Sequence, residues 1–279
     1  MSEIPIIDFS NFASDNEITK QIYQACTEVG FMYLKNYDIS QDLIEQTFNT
    51  SKEFFNQPLE IKQKSAWSNE FTNQGYVGIQ RERLNPNKPG DLKEAFNITT
   101  QTQQPDIIEF FQACTNLSIQ ILEAFARALE LPIDFFANNH NQNHHTLRLL
   151  HYPPQQTQQL RAGEHSDYGS ITLLFQHEIS GLEIQTNTGD WIKAPAIPGT
   201  IVVNTGDLMQ RWTNNKFCST KHRVVIPDNI NQSRYSIAFF CHPNDDTQIT
   251  CLPSCINELP MYPPISAKEY LLTRLKSTY

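Results

Sequence analysis

The chain has 279 residues, of which 39% are hydrophobic and 18% charged, a balance that favours a folded chain over a disordered one. Its formal net charge is -9, and its 21 Lys and Arg form no dense basic run, so nucleic acid is a poor candidate partner. No stretch approaches the roughly 18 to 20 apolar residues that cross a bilayer, and residues 1–5 (MSEIP) lack the basic and apolar regions of a secretory signal.

In chain order, residues 4–9 (IPIIDF) read as a short strand. Residues 18–29 form an amphipathic helix with Ile18, Ile22, Ala25, Cys26 and Val29 on one face. Gly30 stops it, and residues 31–34 follow as a strand. A second helix covers 43–55 and ends before Pro58. Residues 68–100, punctuated by Gly75, Gly78, Pro86, Pro89 and Gly90, give short extended pieces. A long helix covers 106–131, between Pro105 and Pro132, with apolar residues from Ile107 to Leu129 at helical spacing.

After residue 145 the period becomes two. Strands are expected at 146–152, 170–175, 182–185, 191–194, 200–204, 222–226 and 234–241, and a helix at 267–276 closes the chain. The fold class is α+β: a double-stranded β-helix (jelly-roll) barrel core flanked by N-terminal helices and a C-terminal helix. One unit is expected. It comprises an N-terminal helix and strand region (1–100), a long supporting helix with its connection (101–145), the jelly-roll catalytic core (146–243) and a C-terminal segment (244–279). The six cysteines include no C-x-x-C pair and read as reduced thiols of a cytoplasmic protein. Cys251 and Cys255 have half-site spacing for zinc, but no second half lies near them in sequence.

The chain contains no G-x-G-x-x-G, P-loop or G-x-S-x-G. His177-Glu178 starts like H-E-x-x-H, but residue 181 is Gly. What remains is His165-Ser166-Asp167, the only H-x-D in the chain. On an extended segment, residues i and i+2 point the same way, so one imidazole and one carboxylate can grip one ion. His222, at the head of a later strand, is the best third ligand. Two His and one carboxylate form a facial triad, which leaves iron(II) three adjacent positions for a co-substrate and dioxygen. Arg234-Tyr235-Ser236 then places a guanidinium and a hydroxyl on one side of a strand, a pairing that suits a carboxylate. Arg211-Trp212-Thr213 has the same spacing but precedes the third ligand in a turn-like stretch, and is set aside. Each feature alone reads as an ordinary structural histidine or strand salt bridge. Their order along the chain is what carries the metal reading.

These motifs, with residues 4–9, 30–36 (GFMYLKN), 150–154 (LHYPP), 165–174 (HSDYGSITLL), 203–214 (VNTGDLMQRWTN), 219–224 (STKHRV) and 234–240 (RYSIAFF), span nearly the whole chain. The chain resembles the isopenicillin-N-synthase-like family of iron(II)- and 2-oxoglutarate-dependent oxygenases. The resemblance implies iron on His165, Asp167 and His222. It implies that Arg234 and Ser236 hold the distal carboxylate of 2-oxoglutarate, with the Tyr152 hydroxyl on the same group. Tyr152 also reads as a partly buried aromatic of its strand. Phe96, Arg148 and Phe240 fall where the family often faces substrate. For both Phe residues core packing is an equal reading, and Arg148 equally reads as paired with a carboxylate. Two departures stand out: Leu150 where many members have Asn, and Asn36-Tyr37-Asp38 in place of the common Asn-His-Gly.

The implied activity is oxidation, hydroxylation foremost, of a small organic molecule. It uses iron(II), 2-oxoglutarate and dioxygen, and forms succinate and CO2. A monomer without nucleic-acid or membrane partners is expected. The alternatives are an oxidase or ethylene-forming enzyme on the same iron site, and a non-catalytic binding protein on the same barrel.

Overall fold

Alternation of buried and less buried side chains along the second half of the chain sets the architecture. The computed structural model describes residues 3–13, 15–83, 89–99, 105–154, 160–226 and 232–279. The first part comprises β1 (Ile6–Asp8), α1 (Asn16–Glu28), β2 (Phe31–Lys35), α2 (Gln41–Phe55), α3 (Leu59–Gln63), β3 (Gly75–Val77) and β4 (Glu94–Ile98). Next come α4 (Pro105–Ala128), α5 (Phe135–Asn138), β5 (Thr146–Tyr152), β6 (Ala162–His165), β7 (Ile171–Gln176), β8 (Leu182–Gln185), β9 (Trp191–Ala194) and β10 (Thr200–Thr205). The chain ends with α6 (Asp207–Trp212), β11 (His222–Val224), β12 (Arg234–Cys241), β13 (Gln248–Ile249), β14 (Ile265–Ser266) and α7 (Ala267–Thr278).

Eight strands form one sheet in the order β1-β2-β10-β7-β12-β5-β4-β3, with β1 and β2 parallel and the other neighbours antiparallel. A second antiparallel sheet has the order β6-β11-β8-β9. Residues of both sheets line one cavity of about 470 Å³, the interior of the jelly roll. The sheet draws β1 to β4 from the N-terminal region, so the barrel wall extends beyond the 146–243 stretch assigned to it from sequence.

Strand β12 shows how the pattern sorts side chains. Arg234, Ser236, Ala238 and Phe240 line the cavity, whereas Tyr235, Ile237, Phe239 and Cys241 join the apolar core beneath the helices. That core is capped by α4, whose Phe110 meets Phe175 (5.0 Å) and whose Phe111 meets Phe239 (5.2 Å) in edge-on contacts. Helix α1 is capped by Asp15, whose side chain accepts from the Glu17 N–H. At its far end Gly30 adopts φ +74°, and a Cβ there would lie 2.3 Å from the Cys218 carbonyl oxygen.

The expected long elements are present, with ends shifted by a few residues. The structure adds β6, the short helices α3, α5 and α6, and the β13–β14 pair. Their two- to six-residue lengths are too short for a periodicity to emerge. The stretch around Arg211 is the last turn of α6 rather than a turn-like loop. Pro86, one of the expected turn residues, lies outside the described residues. Among the described residues no helix is long and apolar enough to cross a membrane.

Candidate metal centre and its cavity

His165 ends β6, Asp167 follows two residues on, and His222 opens β11 directly opposite His165 in the ladder. Strand pairing therefore brings the two imidazoles together, with ring centroids 4.2 Å apart. Asp167 Oδ1 lies 3.9 Å from His165 Nε2 and 3.6 Å from His222 Nε2. The ligand atoms of all three lie within 4.8 Å of one another, the only such His/Cys/Asp/Glu group among the described residues.

The surrounding hydrogen bonds prepare each group to ligate. His165 Nδ1 donates to the Gly163 carbonyl (2.7 Å) and His222 Nδ1 to the Thr220 carbonyl (3.2 Å), which leaves both Nε2 lone pairs facing the gap. Asp167 Oδ2 accepts from Thr172 Oγ1 (2.6 Å) and Asn204 Nδ2 (2.8 Å), so Oδ1 is the free oxygen. Burial, reinforced by His222, pushes His165 down to about 3 and keeps its ring neutral. Burial would raise Asp167, but the facing His222 outweighs it and holds the carboxyl below its usual range. Two neutral-capable imidazole nitrogens and one carboxylate oxygen, converging from one side, fit a first-row divalent ion such as iron(II). The backbone that carries them is close-packed: a Cβ on Gly206 would meet the Gly169 and Asp167 carbonyl oxygens at 2.3 and 3.0 Å.

Arg234 is 1% exposed, and its guanidinium is held by the Ile179 carbonyl (Nε, 3.1 Å), Ser236 Oγ (Nη1, 3.2 Å) and Gln176 Oε1 (Nη2, 3.1 Å). Tyr152, its register partner on β5, places its ring centroid 4.8 Å from the guanidinium carbon. All these partners are neutral. Among the described residues no carboxylate forms an ion pair with Arg234. A buried cation on a cavity wall without a counter-anion suits an anionic ligand such as a carboxylate.

The other expected positions divide. Phe240 lines the cavity, with its ring nearly parallel to that of His242 at 6.4 Å. Arg148 also lines it, and its Nη2 lies 2.6 Å from Glu82 Oε1, so the carboxylate-paired reading holds as well. Phe96 does not face the cavity. On β4 it is Lys93, Ala95 and Asn97 that point inward, and Phe96 packs on Phe54 of α2 at 4.4 Å. Leu150, at the position where Asn is common, is a cavity residue.

Sequence reasoning missed Thr172 and Asn204, which fix Asp167, and Gln176, which fixes Arg234. A signal existed, because each is a polar side chain within an otherwise apolar strand. It also missed Lys93, which lines the cavity and pairs with Glu82 (3.0 Å) and Asp91, and the α7 residues Leu271, Leu272, Leu275 and Tyr279, which close the mouth.

Residues 139–243 match the family model of the 2OG-Fe(II) oxygenase superfamily, and residues 4–116 match that described as non-haem dioxygenase in morphine synthesis N-terminal. Proline hydroxylase buaE of Petromyces alliaceus is 33% identical over 99% of this chain and 100% of its own length. A 1-aminocyclopropane-1-carboxylate oxidase of Dictyostelium discoideum is 30% identical over 88% of this chain and 83% of its own. A full-length Neurospora crassa protein, crystallised in complex with alpha-KG and thymine, is 35% identical, with a TM-score of 0.90 over 99% of this chain and 97% of that one.

Proposed function

The chain belongs to the 2OG-Fe(II) oxygenase superfamily, and from that membership we propose that His165, Asp167 and His222 hold its iron(II) while Arg234, Ser236 and Tyr152 hold the distal carboxylate of 2-oxoglutarate. The enzyme oxidises a small molecule with dioxygen, and we read hydroxylation as the outcome. When bound, iron(II) supplies the redox chemistry that couples oxidative decarboxylation of 2-oxoglutarate, to succinate and CO2, with oxidation of a substrate C–H bond.

The residues of the chain do the rest. The two Nε2 atoms and Asp167 Oδ1 approach from one side, which leaves adjacent positions on the opposite side for co-substrate and dioxygen. Arg234, with Ser236 beside it, fixes the far end of the oxo acid by charge-assisted hydrogen bonds. Leu150, Leu174, Val224, Ala238 and Phe240 present apolar surface that excludes water from the reacting centre. Six unpaired cysteines suit a reducing compartment, which supports the cytoplasm.

The single observation that carries this reading is the pairing of the triad with an uncompensated buried Arg234 in one cavity. An oxidase working without an oxo acid would leave that cation without an anion. The test is anaerobic titration of the iron-loaded protein with 2-oxoglutarate. A metal-centred absorption band is expected with the native chain and not with His222→Ala, which also loses succinate formation. Oxygen uptake that needs no 2-oxoglutarate, with no band, overturns the reading.

A further inference from the structure

Four cationic side chains line the described part of the cavity: Lys93, Arg148, Arg234 and Lys268. Three of them are already neutralised. Arg148 pairs with Glu82 (2.6 Å), Lys93 with Glu82 (3.0 Å) and Asp91, and Lys268 with Asp245 (2.7 Å). Only Arg234 has neutral partners alone, and under the oxygenase reading its charge is taken by 2-oxoglutarate. A second anion in the cavity would have to strip Glu82 from Arg148, stranding a carboxylate that is 3% exposed.

The same wall offers a hydrogen-bonding face. Asn97 on β4 and Arg148 on β5 are direct register partners, and both line the cavity. Facing residues of an antiparallel pair stand roughly 5 Å apart at Cβ, within reach of one small group. Asn97 Nδ2 is spent on Asn73 Oδ1 (3.0 Å), while Asn97 Oδ1 is buried with no hydrogen-bond partner. Arg148 Nε is likewise buried without a partner, although Nη2 contacts Glu82. One orphan acceptor and one orphan donor thus sit side by side. A ligand that supplies an N–H to the first and a C=O to the second satisfies both.

We propose that the substrate is an uncharged small molecule with an amide-type N–H/C=O unit, such as a lactam or cyclic ureide, bound at this unit by Asn97 and Arg148, and that carboxylate substrates are rejected. This rests on the oxygenase reading and narrows its substrate class. Arg148 is a binding residue here through its neutral-facing Nε, with Glu82 as the group that cancels its charge. Leu150, Ala238 and Phe240 give apolar contact to the rest of the molecule.

The test uses the native chain loaded with iron(II) and 2-oxoglutarate without oxygen. The metal-centred band must first appear with 2-oxoglutarate alone; its absence sinks the oxygenase assignment rather than this inference. Lactams and cyclic ureides (2-piperidone, hydantoin, uracil) are then titrated against carboxylates (proline, pipecolate, benzoate). At least one amide-type compound is expected to shift the band at a concentration about 100-fold below any carboxylate, and to stimulate succinate formation when oxygen is admitted. A carboxylate that binds as tightly, or a panel in which no amide-type compound outdoes the acids, overturns the proposal. Glu82→Gln should unmask Arg148 and raise carboxylate affinity about tenfold or more relative to the ureides, with 2-oxoglutarate affinity retained. If that variant folds without such a shift, the charge-cancelling role is wrong; if it does not fold, the native panel decides.

Discussion

Asp167 can offer one well-aimed oxygen to a metal because its other oxygen is tied twice. Oδ2 takes hydrogen bonds from Thr172 of β7 and Asn204 of β10, strands that neighbour each other in the large sheet. The carboxylate is thus fixed to the rigid wall of the barrel, although Asp167 itself lies in the loop after β6. Groups of this kind tune affinity without touching the metal. Asn204→Ala is expected to lower iron affinity by about 10- to 100-fold while the fold and the 2-oxoglutarate site persist. A competition titration against a chelator of known affinity measures this. Unchanged affinity would mean that Thr172 alone suffices to hold the side chain.

At the scale of elements, α7 is the piece whose attachment is least apolar. It turns Leu271, Leu272 and Leu275 toward the cavity, and so leans on polar contacts to stay docked. Those contacts meet at Asp207, the first residue of α6. Its carboxylate binds Tyr270 Oη (2.8 Å), Arg274 Nη1 (2.9 Å) and Ser219 Oγ (2.7 Å), while its N–H donates to the Asp167 carbonyl (2.8 Å). One residue therefore ties the helix over the mouth to the loop that carries a metal ligand. Asp207→Ala is expected to cut amide-exchange protection across residues 267–278 by about tenfold or more, the effect of losing roughly 1.4 kcal/mol of charge-assisted bonding. Protection in β12 should be unchanged. Equal protection of α7 in both proteins would count against Asp207 as its anchor. The sequence disclosed little of this linkage, and the reason is physical. Period-two alternation located β5 and β12 to the residue, and H-x-D with a distant His located the triad, because those signals are local. Strand β6 (Ala-Gly-Glu-His) has no alternation to detect. Phe96 was misplaced because a five-residue strand between poorly marked turns leaves its parity open, and a slip of one residue exchanges the two faces. The contacts of Asp207 join residues far apart in the chain, and no local pattern encodes them.

For the whole molecule, acid sensitivity should arise from histidines that fold neutral. His140 is 1% exposed; its Nδ1 donates to the Phe136 carbonyl (2.6 Å) and its Nε2 accepts from Ser170 Oγ (2.8 Å). Burial pulls it down to about 4, and burial with the nearby His140 does the same to His242. In the unfolded chain such rings take up protons near pH 6.5. Between pH 6.5 and 4 the unfolded state therefore binds more protons than the folded one, and stability falls as pH drops through that window. For His140 alone the loss reaches about 2 kcal/mol by pH 5, or roughly 4 to 8 °C in thermal midpoint for a chain of this size. The opposing effect, relief of self-repulsion in a chain of net charge -9, comes later. Ordinary carboxylates stay ionised until about pH 5 and below, so relief cannot mask the loss between 6.5 and 5. The measurement is the midpoint against pH for the native chain and His140→Gln. The metal-ligand histidines titrate in both proteins and cancel in the difference, which should grow steadily smaller as pH falls from 6.5 to 5. A difference independent of pH across that range would show that His140 does not remain neutral in the fold.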